Sequence, residues 1–383
     1  LEVDLSMPDN ILSHDAVVLA QRLVRFPSLN PPGNEEPCID FLAHLLAGLG
    51  FSIETHEFAP GRPSVIARLL GSPGLKPLVF TGHLDVVPVG ATDWTFPPFD
   101  AVIADGLLHG RGACDMKSGV AAFVTAAARL LASTVSLRRG LVFILTAGEE
   151  TGCQGAFDLA RRNVLGEAEL LIVAEPTSNQ PVVAHKGSLR VGVTARGRTA
   201  HSSMPQEGDS AISKIVSWIS RLEAYRFKGK HPLLGTTTAV TTTISGGQNI
   251  NSVPDIARFT VDFRTLPDDD HESILAWMQE LFGPEAQLEV ITDFSGFATD
   301  PNHPALIPLL TLLSKISGVR PTLMGAPYFT DASALVPGFG HVATVVIGPG
   351  HSAQCHKTDE HCPVSEIEDA TRIYEGLMRH FCA

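Results

Sequence analysis

His83 and Asp85 close the run PLVFTGHLD, and Glu149 and Glu150 close the run LVFILTAGEE. Both runs read as buried strands, and open α/β sheets gather ligands outside the strand ends. Glu175 ends a third such run, AELLIVAE, and Asp115 sits in the glycine-rich GRGACDMKSG, a turn ahead of a helical stretch. A late histidine completes the set: His356 in GPGHSAQCHKTDE, with His109, His341 and His351 open as alternatives. Imidazoles and carboxylates suit zinc, and a carboxylate spanning two ions roughly 3.5 to 4 Å apart lets the pair activate water and polarise a carbonyl. Asp85 adds a carboxylate able to hold the second ring nitrogen of His83 and fix its tautomer. Adjacent residues at a strand end point in different directions, so one of Glu149 and Glu150 can bind metal while the other accepts a proton from water.

This gathering predicts a metal-dependent hydrolase, and competing chemistries lack their motifs. The sequence has no H-E-x-x-H, no G-x-x-x-x-G-K-[ST], no G-x-G-x-x-G after an early strand and no G-x-S-x-G elbow. Ser202 and Ser203 beside His201 do not make a serine triad.

The elements that must position these residues follow from periodicity. His14 to Phe26 and Pro37 to Leu49 read as amphipathic helices separated by the turn Pro31-Pro32-Gly33. Strand-like PLVFT, LVFILT and AELLIVA alternate with helices from Lys117 to Leu131 and Gly155 to Asn163, a rhythm that predicts parallel pairing. After Glu175 the pattern changes to LRVGVTARGR, a helix from Ser210 to Tyr225, a Thr-rich strand to Ile244, ARFTVDFRT and a helix from His271 to Leu281. From Asp300 the first pattern resumes, with a helix to Ile316, the strand ATVVIGPG and a helix from Ser365 to Phe381. The expected fold class is α/β: a mostly parallel-sheet catalytic domain over residues 1–186 and 296–383, interrupted by a smaller α+β domain over 187–295.

A chain of 383 residues, 44% hydrophobic, has material for two such cores. Its net charge of -13 and lack of a Lys/Arg block argue against nucleic acid as a partner. The six cysteines form no C-x-x-C pair and read as reduced thiols. No long charge-free apolar segment predicts a membrane span, and the acidic, polar first residues lack a signal peptide's basic and apolar regions. The cytoplasm is therefore the expected location.

The sequence resembles the dinuclear-zinc family of acetylornithine deacetylases, succinyl-diaminopimelate desuccinylases, aminoacylases and related carboxypeptidases. The matching stretches are GHLDVVPVG, HGRGACDMKSG, TAGEETGCQGA, AEPTSNQPVVAHKG, RTAHSSMPQEG, GGQNINSVPD with DFR, YFTDASAL and GPGHSAQCHKTDEH, in the family's order over nearly the whole chain. The resemblance selects His356 as the late histidine. It implies two Zn2+ per subunit, with Co2+ or Mn2+ as substitutes. Asp115 would bridge them, His83 and Glu175 would complete one site, and Glu150 and His356 the other. Glu149 would be the general base, Asp85 would orient His83, and the Asp115–Met116 peptide would be cis. The small domain would serve as a lid and make a homodimer, with His201 reaching the partner's site as an oxyanion donor. Arg264 and Asn251 would hold a substrate carboxylate.

Within that family, AEPTSNQPVVAHKG and the ending MRHFC look most like acetylornithine deacetylase. Desuccinylases commonly carry Arg-Arg-Gly-Ser where this chain has His185-Lys186-Gly187-Ser188, and a Tyr where it has Met204. Acetylornithine deacetylases in turn typically have Thr-Glu-Ala where this chain has Thr330, Asp331 and Ala332. The function implied is hydrolysis of an N-acyl amino acid, such as N-acetylornithine, to a carboxylate and a free amino acid. An N-succinyl amino acid desuccinylase, a metallo-carboxypeptidase or dipeptidase, and a metal-free binding or scaffold protein stand as alternatives.

Overall fold

The structure is a computed structural model that describes residues 14–133 and 136–383. The opening residues, read above as lacking the regions of a signal peptide, lie outside the described residues. The chain divides into two compact units: one runs to Val183 and resumes over Thr299–Met324 and Thr330–Ala383, and the other comprises Ala184–Ala298 and Gly325–Phe329.

In the first unit, α1 (Ala16–Val24) begins where Asp15 accepts the backbone N–H groups of Val17 and Val18, and α2 (Glu36–Gly48) follows. β1 (Ser52–Ala59) and β2 (Arg62–Leu69) are joined by Pro60 and Gly61, whose φ of +72° suits the tight turn. There follow β3 (Leu78–His83), two short strands, β4 (Val102–Ala104) and β5 (Leu107–His109), α3 (Ser118–Ala132), β6 (Leu141–Thr146), α4 (Gln154–Arg161), β7 (Leu170–Val173) and the start of β8 (Val182–His185).

The second unit contains β9 (Gly187–Arg196), α5 (Ala211–Ala224), β10 (Thr238–Gly246), β11 (Ile256–Thr265), α6 (His271–Phe282), β12 (Gln287–Phe294) and β13 (Phe297–Ala298). Its four-stranded sheet, in the order β10-β11-β9-β12, is antiparallel throughout. Alternation along β9 sends Leu189, Val191, Val193 and Ala195 into one core with Phe259 and Phe263 of β11, Trp218 of α5 and Phe282 of α6. The chain then supplies α7 (Ile307–Ser317), β14 (Met324–Ala326), α8 (Ala332–Gly338), β15 (Thr344–Val346), β16 (His361–Pro363) and α9 (Val364–Cys382).

The expectation of a mostly parallel sheet is corrected. Only the middle of the first unit's main sheet is parallel, through the pairs β6–β3, β3–β7 and β7–β15. The pairs β1–β2 and β2–β6 are antiparallel, as is Val182 against Val346, and so is the small sheet β16-β5-β4. The physical reason is connection length. Helical crossovers return a strand parallel, whereas the two-residue turn at Pro60-Gly61 reverses it. The strand–helix rhythm reports only the crossovers.

Strands β3 and β6 are buried at all six positions each, so the main sheet is covered on both faces. Phe80, Phe123, Phe143 and Tyr374 pack their rings together, with Phe80 5.3 Å from Tyr374 and Phe123 4.8 Å from Phe143. α3 starts hard against the end of β7, where a Cβ on Gly119 would stand 2.1 Å from the Ala174 carbonyl oxygen. That close approach sets the Asp115 turn beside Glu175. Among the described residues no helix is long and apolar enough to cross a membrane.

Candidate metal centre

Four of the candidate ligands stand at or just beyond the ends of buried strands. His83 is the last residue of β3, Glu149 and Glu150 follow β6 across Ala147 and Gly148, and Glu175 follows β7. Asp115 occupies the turn before α3, with its peptide to Met116 cis, and His356 follows a short turn at Ser352–Gln354. The two oxygens of Asp115 face different imidazoles. Oδ1 is 3.0 Å from His83 Nε2, and Oδ2 is 3.4 Å from His356 Nε2. Glu175 Oε1 lies 3.7 Å from His83 Nε2, and Glu150 Oε2 lies 2.9 Å from His356 Nε2. Two groups able to hold a cation result, His83–Asp115–Glu175 and Asp115–Glu150–His356, each with its ligand atoms within 4.8 Å of one another.

The electrostatics fit cations there. Burial pushes the Glu149 and Glu175 carboxyls well above their usual range, with His83 pulling back and neighbouring carboxylates adding to the rise. Glu150 is raised for the same first reason. Burial opposes charge on His83, but the hydrogen bond to Asp115 and the charges of Glu175 and Glu149 outweigh it and hold its pKa well above the ordinary value. Asp115, though buried, is held below the carboxylate range by its bonds to His356 and His83. Hydrogen bonds to Asp115 and Glu150 push His356 up to about 10. Crowded carboxylates facing imidazoles, with one carboxylate common to both groups, form a donor set consistent with a dinuclear metal site.

Supporting residues hold this geometry. The backbone oxygen of Asp85 accepts from His83 Nδ1 at 3.0 Å, while the Asp85 carboxylate stands 3.6 Å away. That carboxylate instead accepts the backbone N–H groups of Glu149 at 3.1 Å and Glu150 at 3.0 Å, and the side-chain amide of Asn30 at 2.8 Å. Asp85 therefore fixes the Glu149-Glu150 turn. Glu360 does the same for the Asp115 turn: its Oε1 accepts the backbone N–H groups of Gly112, Cys114 and Asp115 at 3.1, 2.8 and 3.0 Å. Its Oε2 takes Arg111 Nη1 at 2.5 Å, and the Arg111 guanidinium lies over Trp94. Sequence reasoning missed Glu360, Arg111 and Asn30; the signal for Glu360 was its place in the motif that carries His356.

The alternative histidines lie elsewhere. The His109 ring packs at a tilt against Phe96 and His361, His351 accepts the Ala353 backbone N–H on Nδ1, and His341 stands at φ +64° after α8. His201, Asn251 and Arg264 belong to the second unit. His201 is exposed, with Nδ1 2.8 Å from Ser203 Oγ, and the Asn251 carbonyl accepts the Ser202 N–H at 3.0 Å. Arg264 Nη2 donates to Asp262 Oδ2 at 3.1 Å.

Comparison with known proteins shows the family. The model of "Peptidase family M20/M25/M40" matches residues 79–380. A succinyl-diaminopimelate desuccinylase of Gluconacetobacter diazotrophicus is 31% identical over 390 residues, covering 96% of this chain and 97% of its own. Another, of Parvibaculum lavamentivorans, is 32% identical over 393 residues, covering 97% and 96%. An aminopeptidase structure from Bacillus cereus superposes with a TM-score of 0.79 at 23% identity, covering 96% of this chain and 98% of that one. A metallo-carboxypeptidase structure from Sulfolobus solfataricus gives 0.80 at 18%, covering 96% and 99%. At these identities the structures show the fold alone. The leaning of the motifs towards acetylornithine deacetylase is thereby corrected, since these curated relatives are desuccinylases. The stretches that carried it build the loop after β7 with strand β8, and the end of α9.

Proposed function

Because the chain belongs to peptidase family M20/M25/M40 and is a metal-dependent hydrolase, we propose that it removes the acyl group from an N-acyl amino acid, with succinyl as the preferred acyl group. The observation that carries the reading is Asp115, whose two carboxylate oxygens serve two separate imidazole–carboxylate groups. His83, Asp115 and Glu175 would hold one cation and Asp115, Glu150 and His356 the other; zinc is the proposed metal, with Co2+ or Mn2+ as substitutes. Bound there, the cations supply Lewis acidity that acidifies water and polarises the acyl carbonyl.

Glu149 is the proposed base. It takes a proton from the attacking water on a carboxylate oxygen and gives it to the leaving nitrogen, so that a C–O bond replaces the C–N bond. Its burial-raised pKa supports its holding that proton between the two steps. Arg264 and Asn251 are assigned to the substrate carboxylate, for which an Arg fork supplies paired charge-assisted bonds. His201 is assigned to the carbonyl oxygen as a donor, contributed by the second copy of a homodimer. The open edge strand β10, with Val240 and Ile244 57% and 61% exposed, supports such a pairing. A reducing, cytoplasmic location is supported by six unpaired cysteines.

A second reading, acetyl as the acyl group, is favoured by one observation. Lys186, which stands where desuccinylases commonly carry an Arg, donates to the Thr236 carbonyl at 2.5 Å. Purified protein assayed on N-succinyl, N-acetyl and dipeptide forms of the same amino acids separates these readings. Succinyl substrates are expected to give a kcat/KM at least about tenfold above the others, the scale of one charge-assisted contact. Preference for acetyl substrates selects the second reading, and preference for dipeptides overturns both.

A further inference from the structure

Behind Glu149 lie two buried side chains, Cys153 and Asp331, that neither the metal pair nor the hydrolytic step uses. Cys153 is fully buried, with its thiol 3.6 Å from Glu149 Oε1. Asp331, only 2% exposed, accepts the Thr146 hydroxyl on Oδ2 at 2.5 Å and leaves Oδ1 buried with no hydrogen-bond partner. One ligand atom from each of Glu149, Cys153 and Asp331 lies within 4.8 Å of the other two. The edges of a tetrahedral zinc site are about 3.5 Å, given Zn–S near 2.3 Å and Zn–O near 2.1 Å. Small side-chain rotations therefore close the cluster on an ion.

The chemistry favours one. A buried carboxylate oxygen without a partner leaves its desolvation uncompensated, and a cation compensates it. A thiol among the donors selects zinc over magnesium or calcium. We propose that Glu149, Cys153 and Asp331 form a third cation site, selective for zinc, whose occupation inhibits the enzyme. On binding, the Cys153 thiol proton passes to solvent and its sulfur becomes a thiolate ligand. Glu149, now a ligand, no longer accepts a proton from water. The inhibition, though not the site, rests on Glu149 being the base of the proposed reaction.

The test loads the full-length protein with two equivalents of Co2+ and adds a third. The third equivalent is expected to bring a thiolate-to-cobalt charge-transfer band in the near ultraviolet. Hydrolysis is expected to fall at saturation by at least about 100-fold, the reach of general acid–base catalysis, and excess Zn2+ is expected to do the same. Cys153→Ser removes the band, and Asp331→Asn weakens the third binding step at least about tenfold, the least that losing a metal-site partner costs. Cys355→Ser, which alters a thiol beside His356, leaves both intact. A wild-type protein with no thiolate band at any stoichiometry overturns the site, and that result requires no variant to fold. A band that survives Cys153→Ser overturns it as well. Binding with the band but without inhibition overturns the inhibitory role. If the first two equivalents fail to support activity, the metal-pair reading fails, and the Cys153-dependent band still decides the third site.

Discussion

Glu149 and Glu150 are neighbours in sequence with different surroundings. Glu150 faces His356, whereas Glu149 faces the thiol of Cys153 and makes no close bond to either histidine. Glu149→Gln is therefore expected to leave two cations bound while the rate falls by at least about 100-fold. Metal analysis beside kcat checks this, and loss of both metals or near-normal turnover contradicts it. The candidate ligands stand out in the sequence because His83, Glu149, Glu150 and Glu175 are polar side chains closing apolar runs, while Asp115 and His356 sit in glycine-containing loops. The choice of His356 over His351 is not legible from spacing. It depends on backbone conformation, with His356 at φ +64° and His351 turned back to accept its own loop's N–H. Asp85 shows the same limit, since the H-x-D spacing puts a carboxylate near His83 but does not reveal which backbone donors capture it.

At the scale of elements, the Asp115 turn is held from a distance of 245 residues along the chain. Glu360→Ala is expected to destabilise the protein by about 3 to 5 kcal/mol, because it strands the buried Arg111 charge and orphans backbone donors. Glu360→Gln, which keeps an acceptor, is expected to lose less stability yet still bind metal more weakly. Thermal melts with equilibrium dialysis check both, and an unchanged melting temperature in the Ala variant contradicts the clamp. A second element, β8, carries His185, whose pKa is pushed down to about 4 by burial, with its Nδ1–H donating to the Lys186 carbonyl. The unfolded chain takes up that proton near its ordinary value of about 6.5 while the folded chain does not, so stability is complete above that pH and is lost as pH falls towards 4. The loss expected from this residue is about 3 kcal/mol. His185→Leu is expected to flatten that acid limb in melts taken from pH 7 to 4, and an equal slope in the variant contradicts the assignment. Apart from α8, which is not read from the sequence, and the start of α7, the helices are legible to within a residue or two because amphipathic periodicity is local. The β1–β2 hairpin was equally available in SIETHEFAPGRPSVIARL, which alternates about a Pro-Gly turn, but strand direction depends on connections that periodicity does not report.

At the scale of the whole molecule, a second compact unit has its own core, and His201, Asn251 and Arg264 lie in it. The proposal that His201 acts in a neighbouring copy is tested by mixing Glu149→Ala with His201→Ala under conditions of subunit exchange. A mixed dimer holds one site with an intact Glu149 and a His201 donated by the other chain, so partial activity is expected to return. Mixed dimers, confirmed by differential tagging, that stay inactive contradict the role in trans. The most direct measurement of the central claim is a titration of chelator-stripped full-length protein with Zn2+, following bound metal and hydrolysis of an N-succinyl amino acid together. Activity is expected to be absent without metal and to rise with binding until two ions are held per chain, with Asp115→Ala failing to retain the second. Full hydrolysis by the stripped protein, or two equally tight ions in Asp115→Ala, contradicts the shared-carboxylate centre.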